Sequence, residues 1–416
     1  MERGRPAAKK FLQKQTEAVR LAANPPKGTG GHWPEEIALK KIVCLQIGLL
    51  LWLLAPAASP AASGVSAGAG KLFLNGEFQV VWDWTQEDQG NGQPRVESID
   101  LRHPRLALTG DLGRFAGFYF RTEILAGDTS GPTPPTTLLD ARVDLKPLPW
   151  LTVAVGRFAP AWTLYAPADI HDLDTLRFPI MVDPGLSTFN PGRQTGIQAN
   201  LHFGGNVDLH LGVFNGLDQP DNFSDNDYKK DLLVSVEARL LEQMRVLVGY
   251  YIGDLHVNDL SLAPGESVTL PFGQTITNPT NHTLTINGFD LHHESFDFGL
   301  SGNLARDRIR VRAEYLHHTA SRANTTQVES LGYLLHFGIK PLSRLETLVR
   351  YEYWDPATGT ANNELIWTTA GLNLALNDHS RLSLDYIFKR ETGTNVSQGG
   401  NKSHNDEFLA GITVWW

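Results

Sequence analysis

The segment Phe408-Leu-Ala-Gly-Ile-Thr-Val-Trp-Trp416 decides the fold class. Read as an extended strand, it sets Phe408, Ala410, Ile412, Val414 and Trp416 on one side, because successive strand side chains point to opposite faces. The chain stops at the terminal aromatic. That is the expectation for the closing strand of a transmembrane β-barrel, which faces lipid and sets aromatic residues at the membrane interface. A hydrophobic last strand in a soluble sheet would read the same way, so the rest of the chain has to decide.

From Lys71 onward the dominant period is two, the signature of strands. Leu232, Val234, Val236, Ala238 and Leu240 interleave with Ser235, Glu237 and Arg239; Ile309, Val311, Ala313 and Tyr315 interleave with Arg310, Arg312 and Glu314. Segments of this kind fall near 72–84, 96–109, 115–125, 137–146, 150–158, 193–203, 206–214 and 231–240. They continue near 244–253, 296–304, 308–317, 331–339, 344–353, 365–375, 380–389 and 407–416. The total is sixteen, an even number as single-chain bacterial barrels require. His103-Pro104 breaks the alternation of the second segment, and a bulge or edge distortion is expected there.

Connection lengths alternate without a miss. Short turns such as Gly204-Gly-Asn206, Leu241-Glu-Gln243 and Ala305-Arg-Asp307 separate long polar links at 85–95, 126–136, 159–192, 215–230, 254–295, 318–330, 354–364 and 390–406. Short periplasmic turns at one rim and long extracellular loops at the other produce this pattern. The expected fold is therefore all-β, a 16-stranded antiparallel transmembrane β-barrel over 63–416. A closed sheet pairs every backbone group inside the hydrocarbon layer. Trp82, Trp84, Trp150, Tyr351, Tyr353, Trp354, Trp367 and Trp416 lie near strand ends and are expected in the interface girdles.

The 416 residues contain no run of 18 apolar residues able to cross a bilayer as a helix. Cys44 is the only cysteine, so no disulfide or thiolate metal site can form within one chain. Lys40-Lys41, the apolar stretch Ile42 to Leu54 and the small residues from Ala55 read as a signal peptide over 39–62, which directs the protein to a bacterial outer membrane. Residues 1–38 read as an extension ahead of it, expected from a misplaced start. Cleavage after Ala57 leaves 27 basic and 41 acidic residues, a net of −14. An acidic chain has no electrostatic footprint for nucleic acid.

The stretch Leu101-Arg-His-Pro-Arg-Leu-Ala-Leu-Thr-Gly110, with Phe118-Tyr-Phe-Arg121, Val153-Ala-Val-Gly-Arg-Phe158, Asn190-Pro-Gly-Arg-Gln-Thr-Gly-Ile-Gln198 and Leu211-Gly-Val-Phe-Asn-Gly216, resembles the phosphate-selective porin O and P family. The resemblance implies a trimeric outer-membrane channel of a Gram-negative cell, whose third external loop folds inward. It also implies insertion by the outer-membrane assembly machinery, which would read the last strand ending at Trp416. The family's phosphate channels carry a lysine cluster on an external loop, whereas the link 254–295 has no Lys or Arg. A general porin with modest ion preference is the reading, with phosphate subordinate.

Alternation assigns Arg121, Arg142, Arg239, Arg245, Arg310, Arg312, Arg350, Lys389, Glu237 and Glu314 to the lumen, where channel water solvates them. In the long link 159–192, Trp162, Leu164, Tyr165, Phe178, Ile180 and Met181 are expected to anchor a loop against the wall. Asp169, His171, Asp172, Asp174, Arg177 and Asp183 are expected to line a constriction, and Arg157 and Arg193 the rim. Opposed basic and acidic walls would set up a transverse field. No cofactor or metal is expected, and the partners are outer-membrane lipid and small hydrophilic solutes or ions. A barrel hydrolase is the rival with chemistry, but there is no Gly-x-Ser-x-Gly or His-Glu-x-x-His, and His292-His293 and His317-His318 read as solvated loop residues. A structural or adhesive barrel is the rival without a pore.

Overall fold

The computed structural model describes residues 65–67, 70–86, 96–124, 136–183, 192–216, 229–257, 260–269, 275–278, 280, 282–286, 289–322, 327–361, 363–391 and 405–416. The signal peptide and the extension before it lie outside these residues. Sixteen long strands form one antiparallel sheet. The first half comprises β1 (Gly70–Thr85), β2 (Val96–Asp111), β3 (Ala116–Ile124), β4 (Thr136–Leu148), β5 (Leu151–Phe158), β6 (Gln194–Phe203), β7 (Val207–Phe214) and β8 (Asp231–Leu241). The second comprises β9 (Met244–Val257), β10 (Phe289–Leu304), β11 (Ile309–Arg322), β12 (Val328–Leu342), β13 (Leu345–Asp355), β14 (Leu365–Asn377), β15 (Ser380–Glu391) and β16 (Glu407–Trp415). Each strand pairs with the next, and β16 returns to β1 from Glu77↔Trp415 to Thr85↔Glu407, so the sheet closes on itself. A three-residue strand, Val65–Ala67, pairs with the start of β1.

Closure gives the two faces of each strand different surroundings. On β8, Leu232, Val234 and Val236 are exposed on the outside, while Asp231, Leu233 and Ser235 are buried inside. A belt of aromatic residues crosses the outer face as cross-strand neighbours: Tyr250↔Phe296, Phe298↔Tyr315, Tyr315↔Tyr333 and Tyr333↔Tyr353. The Tyr333 and Tyr353 rings stack with centroids 4.9 Å apart. Trp150 and Trp416 are exposed at the opposite rim. Trp354 and Trp367, expected in the girdle, are instead buried inside the barrel. Their parity puts them on the lumen face, and nearness to a strand end does not override parity.

The strands run further than alternation indicates. β9 continues to Val257 and β10 begins at Phe289, with Ile252↔Glu294 and Asp254↔His292 as partners above the belt. Pairing persists beyond the belt, but the outward face there turns polar and the period of two disappears. Part of the link between them folds into two small ribbons, Leu260–Leu262 with Leu284–Ile286 and Ser267–Thr269 with Thr275–Thr277.

At His103-Pro104 the register between β1 and β2 slips, and His103 adopts φ 51°. The bulge turns the His103 ring into the lumen, edge-on to Phe178 at 5.8 Å and with Nδ1 3.3 Å from Glu123. A second slip between β3 and β4, at Arg121/Thr122, has no comparable mark in the sequence.

Candidate functional site

After β5 the link turns inward as a loop, described through Asp183, with one-turn 3-10 helices at Ile170–Asp172 and Ile180–Val182. Its composition forces that course. Trp162, Leu164, Tyr165, Ile170, Leu173, Leu176, Ile180, Met181 and Val182 are all buried in one core with the inward leucines Leu233, Leu247, Leu316, Leu334 and Leu409. Burying one such side chain is worth roughly 1.5–3 kcal/mol, so leaving the set outside the barrel would be costly. Phe178 packs on the edge of this core.

A loop with little regular structure must find partners for its amides, and the wall supplies carboxylates. Leu164 N donates to Glu314 Oε1 at 2.5 Å, Leu176 N to Asp385 Oδ2 at 2.7 Å, and Ile180 N to Glu352 Oε1 at 2.8 Å. Close approach also needs wall positions without a side chain. A Cβ at Gly249 would lie 2.4 Å from the Trp162 carbonyl oxygen.

Charges lock the far half of the loop. Asp174 is buried, paired with Arg310, with Arg312 Nε at 3.2 Å and with His336 Nε2 at 3.8 Å. Burial alone would raise its pKa, but Arg312, His336 and Arg310 together hold it below the usual aspartate value. Arg350 donates to Thr175 Oγ1 at 2.5 Å and to Glu352 at 2.8 Å. Arg177 meets Glu407 at 2.6 Å, and Lys389 reaches the same carboxylate at 3.4 Å.

The loop also meets β1 and β3. Asp169 pairs with Arg121, and His171 Nδ1 lies 2.8 Å from Glu77 Oε2 with its ring stacked on Trp415 at 5.4 Å. Burial works to lower the His171 pKa, but the bond to Glu77 and the fields of Asp172, Glu77 and Asp169 raise it. Burial is the main cause that raises the Asp169 pKa, against Arg121. Among the described residues, Glu77, Asp169 and His171 bring three ligand-type atoms within 4.8 Å of one another. Arg105 at 3.2 Å and Arg121 already neutralise those carboxylates, so a cation would have to displace them.

The sequence-derived lumen residues therefore divide in two. Arg121, Arg310, Arg312, Arg350, Lys389 and Glu314 point inward but are engaged by the loop or its supporting carboxylates. Arg142, Arg239, Arg245 and Glu237 face open lumen, with 35% of the Arg142 side chain and 43% of the Arg245 side chain exposed. On the loop, Asp172 is open to water, with 63% of its side chain exposed, and Asp169 and His171 are partly so. Asp183 is half-buried, whereas Asp174 and Arg177 serve as anchors. Arg157 is buried at the loop end of β5, and Arg193 binds Asp140 at 3.2 Å.

Acids and bases interleave on the same wall, where the sequence reading had them on opposed walls. Neighbouring strands lie about 5 Å apart, so opposite charges on one row pair directly. Parity alone would have found Glu77, Arg381 and Asn373, but not that the loop meets them. Arg381 donates to the His171 carbonyl at 3.3 Å and Asn373 to the Asp174 carbonyl at 2.8 Å. The histidine pairs also need correction: they lie on strands, with His293 and His318 fully buried. His318 Nδ1 is 2.8 Å from Ser295 Oγ, and His293 Nε2 is 3.3 Å from Asp231. Only alternate residues of each pair turn outward, as strand geometry requires.

No protein-family model matches the sequence, and no curated protein does. Solved structures do match in fold. An anion-selective porin from Comamonas acidovorans superposes over 83% of this chain and all of its own, with a TM-score of 0.60 and 14% identity. The outer-membrane-expressed OmpT of Vibrio cholerae covers 85% of this chain and all of its own, with a TM-score of 0.57 and 12% identity. The outer membrane channel DcaP of Acinetobacter baumannii covers 84% and 99%, with a TM-score of 0.55 and 10% identity. The chain has the closed 16-strand barrel fold of outer-membrane proteins.

Proposed function

We propose that this protein is an outer-membrane porin, a water-filled channel for passive diffusion of small hydrophilic solutes and ions. One observation carries the reading: the inward loop is fixed across the lumen yet leaves Arg142, Arg245 and Glu237 in contact with water along β4 to β9. Barrels of sixteen strands are wide enough for such a channel beside a loop. The greasy outer face and aromatic belt support a place in the outer membrane, reached by export on a signal peptide. Assembly as a homotrimer, with recognition of the last strand by the assembly machinery, belongs to the same proposal.

Phosphate selectivity in the manner of the porin O and P family is a finer reading with less support, since the loop and its supporting residues occupy most of the lumen arginines. No catalytic role is proposed, because Ser295 and His318 are sealed from water. A purely structural barrel is favoured by one observation, the burial of the wall from β11 to β16 beneath the loop. Planar-bilayer conductance with reversal potentials in KCl gradients, with and without phosphate, tests these readings. Discrete conductance steps support the porin; a silent bilayer supports the structural barrel. A strongly anionic reversal potential blocked by micromolar phosphate supports the phosphate channel.

A further inference from the structure

The outer wall of the barrel is uneven. Strands β5, β6, β7 and β8 have 8, 10, 8 and 11 residues, whereas β10, β11 and β12 have 16, 14 and 15. A tilted strand needs about 9–11 residues to cross a hydrocarbon layer, so β5 and β7 fall short and β10 to β12 reach beyond it. The aromatic belt is uneven in the same way. On the loop side it runs from Tyr250 on β9 through Phe296, Tyr315, Tyr333 and Tyr353. It ends at Trp82 and Phe408, edge-on at 5.7 Å where β1 meets β16. Among the described residues it has no outward member on β4 to β8.

From the row of Ala141, Arg157 and Thr195 down to the short-turn rim at Trp150 and Phe203, the outward residues of these five strands are Val, Leu, Ile and Ala. Val155, Ile197, Val213 and Val234 are exposed by 38%, 52%, 46% and 47%, with no charge or polar tip among them. Such a wall fits lipid poorly: the bilayer must thin to meet it, and no ring anchors its upper edge. Oligomerisation relieves a mismatch of this kind. The occupant must be an uncharged membrane surface of the same low height, and a second copy of this wall is one. Five strands at about 4.8 Å spacing, each eight residues high at about 3.3 Å, give roughly 650 Å² per copy before side-chain relief, close to the ~800 Å² that each partner gives to a stable complex. Five of sixteen strands subtend about 110° of the wall, which holds both lines of contact, about 60° apart, that a round subunit makes around a three-fold axis.

We propose that the outer face of β4 to β8 is the contact between copies of this chain in the homotrimer. The proposal rests on the porin reading above and names the surface that its assembly uses. The inner side of the same wall carries the root of the loop. The Ala161 amide donates to Gln198 Oε1 at 3.4 Å, and the Ser235 hydroxyl donates to the Ala161 carbonyl. A neighbouring copy therefore backs the strands on which the loop leans as it enters the barrel.

The full chain in detergent tests this by light scattering and native electrophoresis, with heat-modified mobility as the check on folding. Ile197→Trp with Val213→Trp overfills a packed contact, whereas lipid would accept both rings. Val349→Trp is the control, at a position 52% exposed on β13 among the tyrosines. The double variant is expected to run as a heat-modifiable monomer, and the control as the wild-type oligomer. The only cysteine, Cys44, precedes the expected cleavage site, so single cysteines serve as reporters in membranes. A short bismaleimide should join copies of Ile197→Cys at least tenfold more than copies of Val349→Cys, and this readout stands if the tryptophan variant fails to fold. A monomeric wild type without crosslinks overturns the proposal, as do an oligomer that survives the double variant and equal crosslinking at the two positions. A silent bilayer together with crosslinks through Ile197→Cys overturns the porin reading alone.

Discussion

The backbone amide of Leu176 on the inward loop donates to the carboxylate of Asp385 on β15 at 2.7 Å. Glu314 and Glu352 take the Leu164 and Ile180 amides in the same way, so three wall carboxylates replace the ladder bonds that an irregular loop lacks. A hydrogen bond to a charged acceptor contributes about 1.5–3 kcal/mol. Asp385→Ala should loosen the loop by about that amount, and the Glu314→Ala/Asp385→Ala pair by more. The expected outcome is a larger and noisier single-channel conductance in planar bilayers. An unchanged conductance in the double variant would show that apolar packing alone holds the loop.

Packing itself is tested at Gly249. A Cβ there meets a backbone oxygen, that of Trp162, at 2.4 Å, and a backbone atom cannot swing away as a side chain can. Gly249→Val should force the start of the loop off the wall. Overpacking of this kind costs typically 1–3 kcal/mol. The heat-modified shift on gel electrophoresis should occur at lower temperature, and protease should cleave near Trp162 in the folded barrel. Full protection at that site would contradict the packing.

The end of the loop that meets β1 should respond to pH. The His171 pKa is raised above its ordinary 6.5: burial opposes the proton, and Glu77, Asp172 and Asp169 outweigh it. Stability from the protonated bond to Glu77 is then fully present below pH 6.5 and is lost as the pH climbs through the raised value. Asp174 behaves oppositely, held below its ordinary 3.8, so its bonds weaken only as the pH falls beneath that. Conductance should therefore rise as the pH climbs above 6.5, while the Asp174 half stays docked. His171→Asn should flatten this alkaline rise, and a rise that persists in the variant would place its source elsewhere.

Most of the barrel was legible because a closed sheet with an apolar outer face imposes one rule on every strand. Leu232, Val234 and Val236 must be apolar, and whatever lies between them is free to be polar. Where that rule lapses, legibility lapses too. Asp254 and His292 pair above the aromatic belt, yet their segment reads as polar link because polar residues stand on both faces, His292 outside and His293 buried inside. Inside the barrel parity assigned Arg350 and Arg142 to one class. One is buried beneath the loop and the other is wet, and this follows from where the loop lands, a long-range contact without periodicity. The sequence places Asp174 at a constriction because an isolated aspartate looks solvated; its three basic partners come from β11 and β12.

The terminal aromatic is open to direct test. Trp416 N donates to the Gly76 carbonyl at 3.0 Å, Gly76 N donates back at 3.1 Å, and the ring lies over the space a Gly76 side chain would fill. Trp416→Ala keeps the backbone bonds and removes the cover, so the seam between β1 and β16 should open locally. The expected result is a lower yield of heat-modifiable barrel when assembly is followed in cells, with a smaller loss on refolding in detergent. Equal losses in both would assign the whole effect to the seam, and none to recognition of the chain end.

Two consecutive residues on β7 face opposite sides of the barrel wall. Leu211 is 42% exposed on the outer face, and His210 points inward to Asn200. An arginine at the lipid midplane costs roughly 2–4 kcal/mol, falling to about 0–1 near the interfaces, whereas one in a wet lumen keeps its hydration. Leu211→Arg should lower the guanidinium midpoint for unfolding from lipid vesicles, while His210→Arg should leave it nearly unchanged and alter conductance. The opposite order, with the lumen variant the less stable, would mean that this side of the barrel is filled by protein and carries no water path.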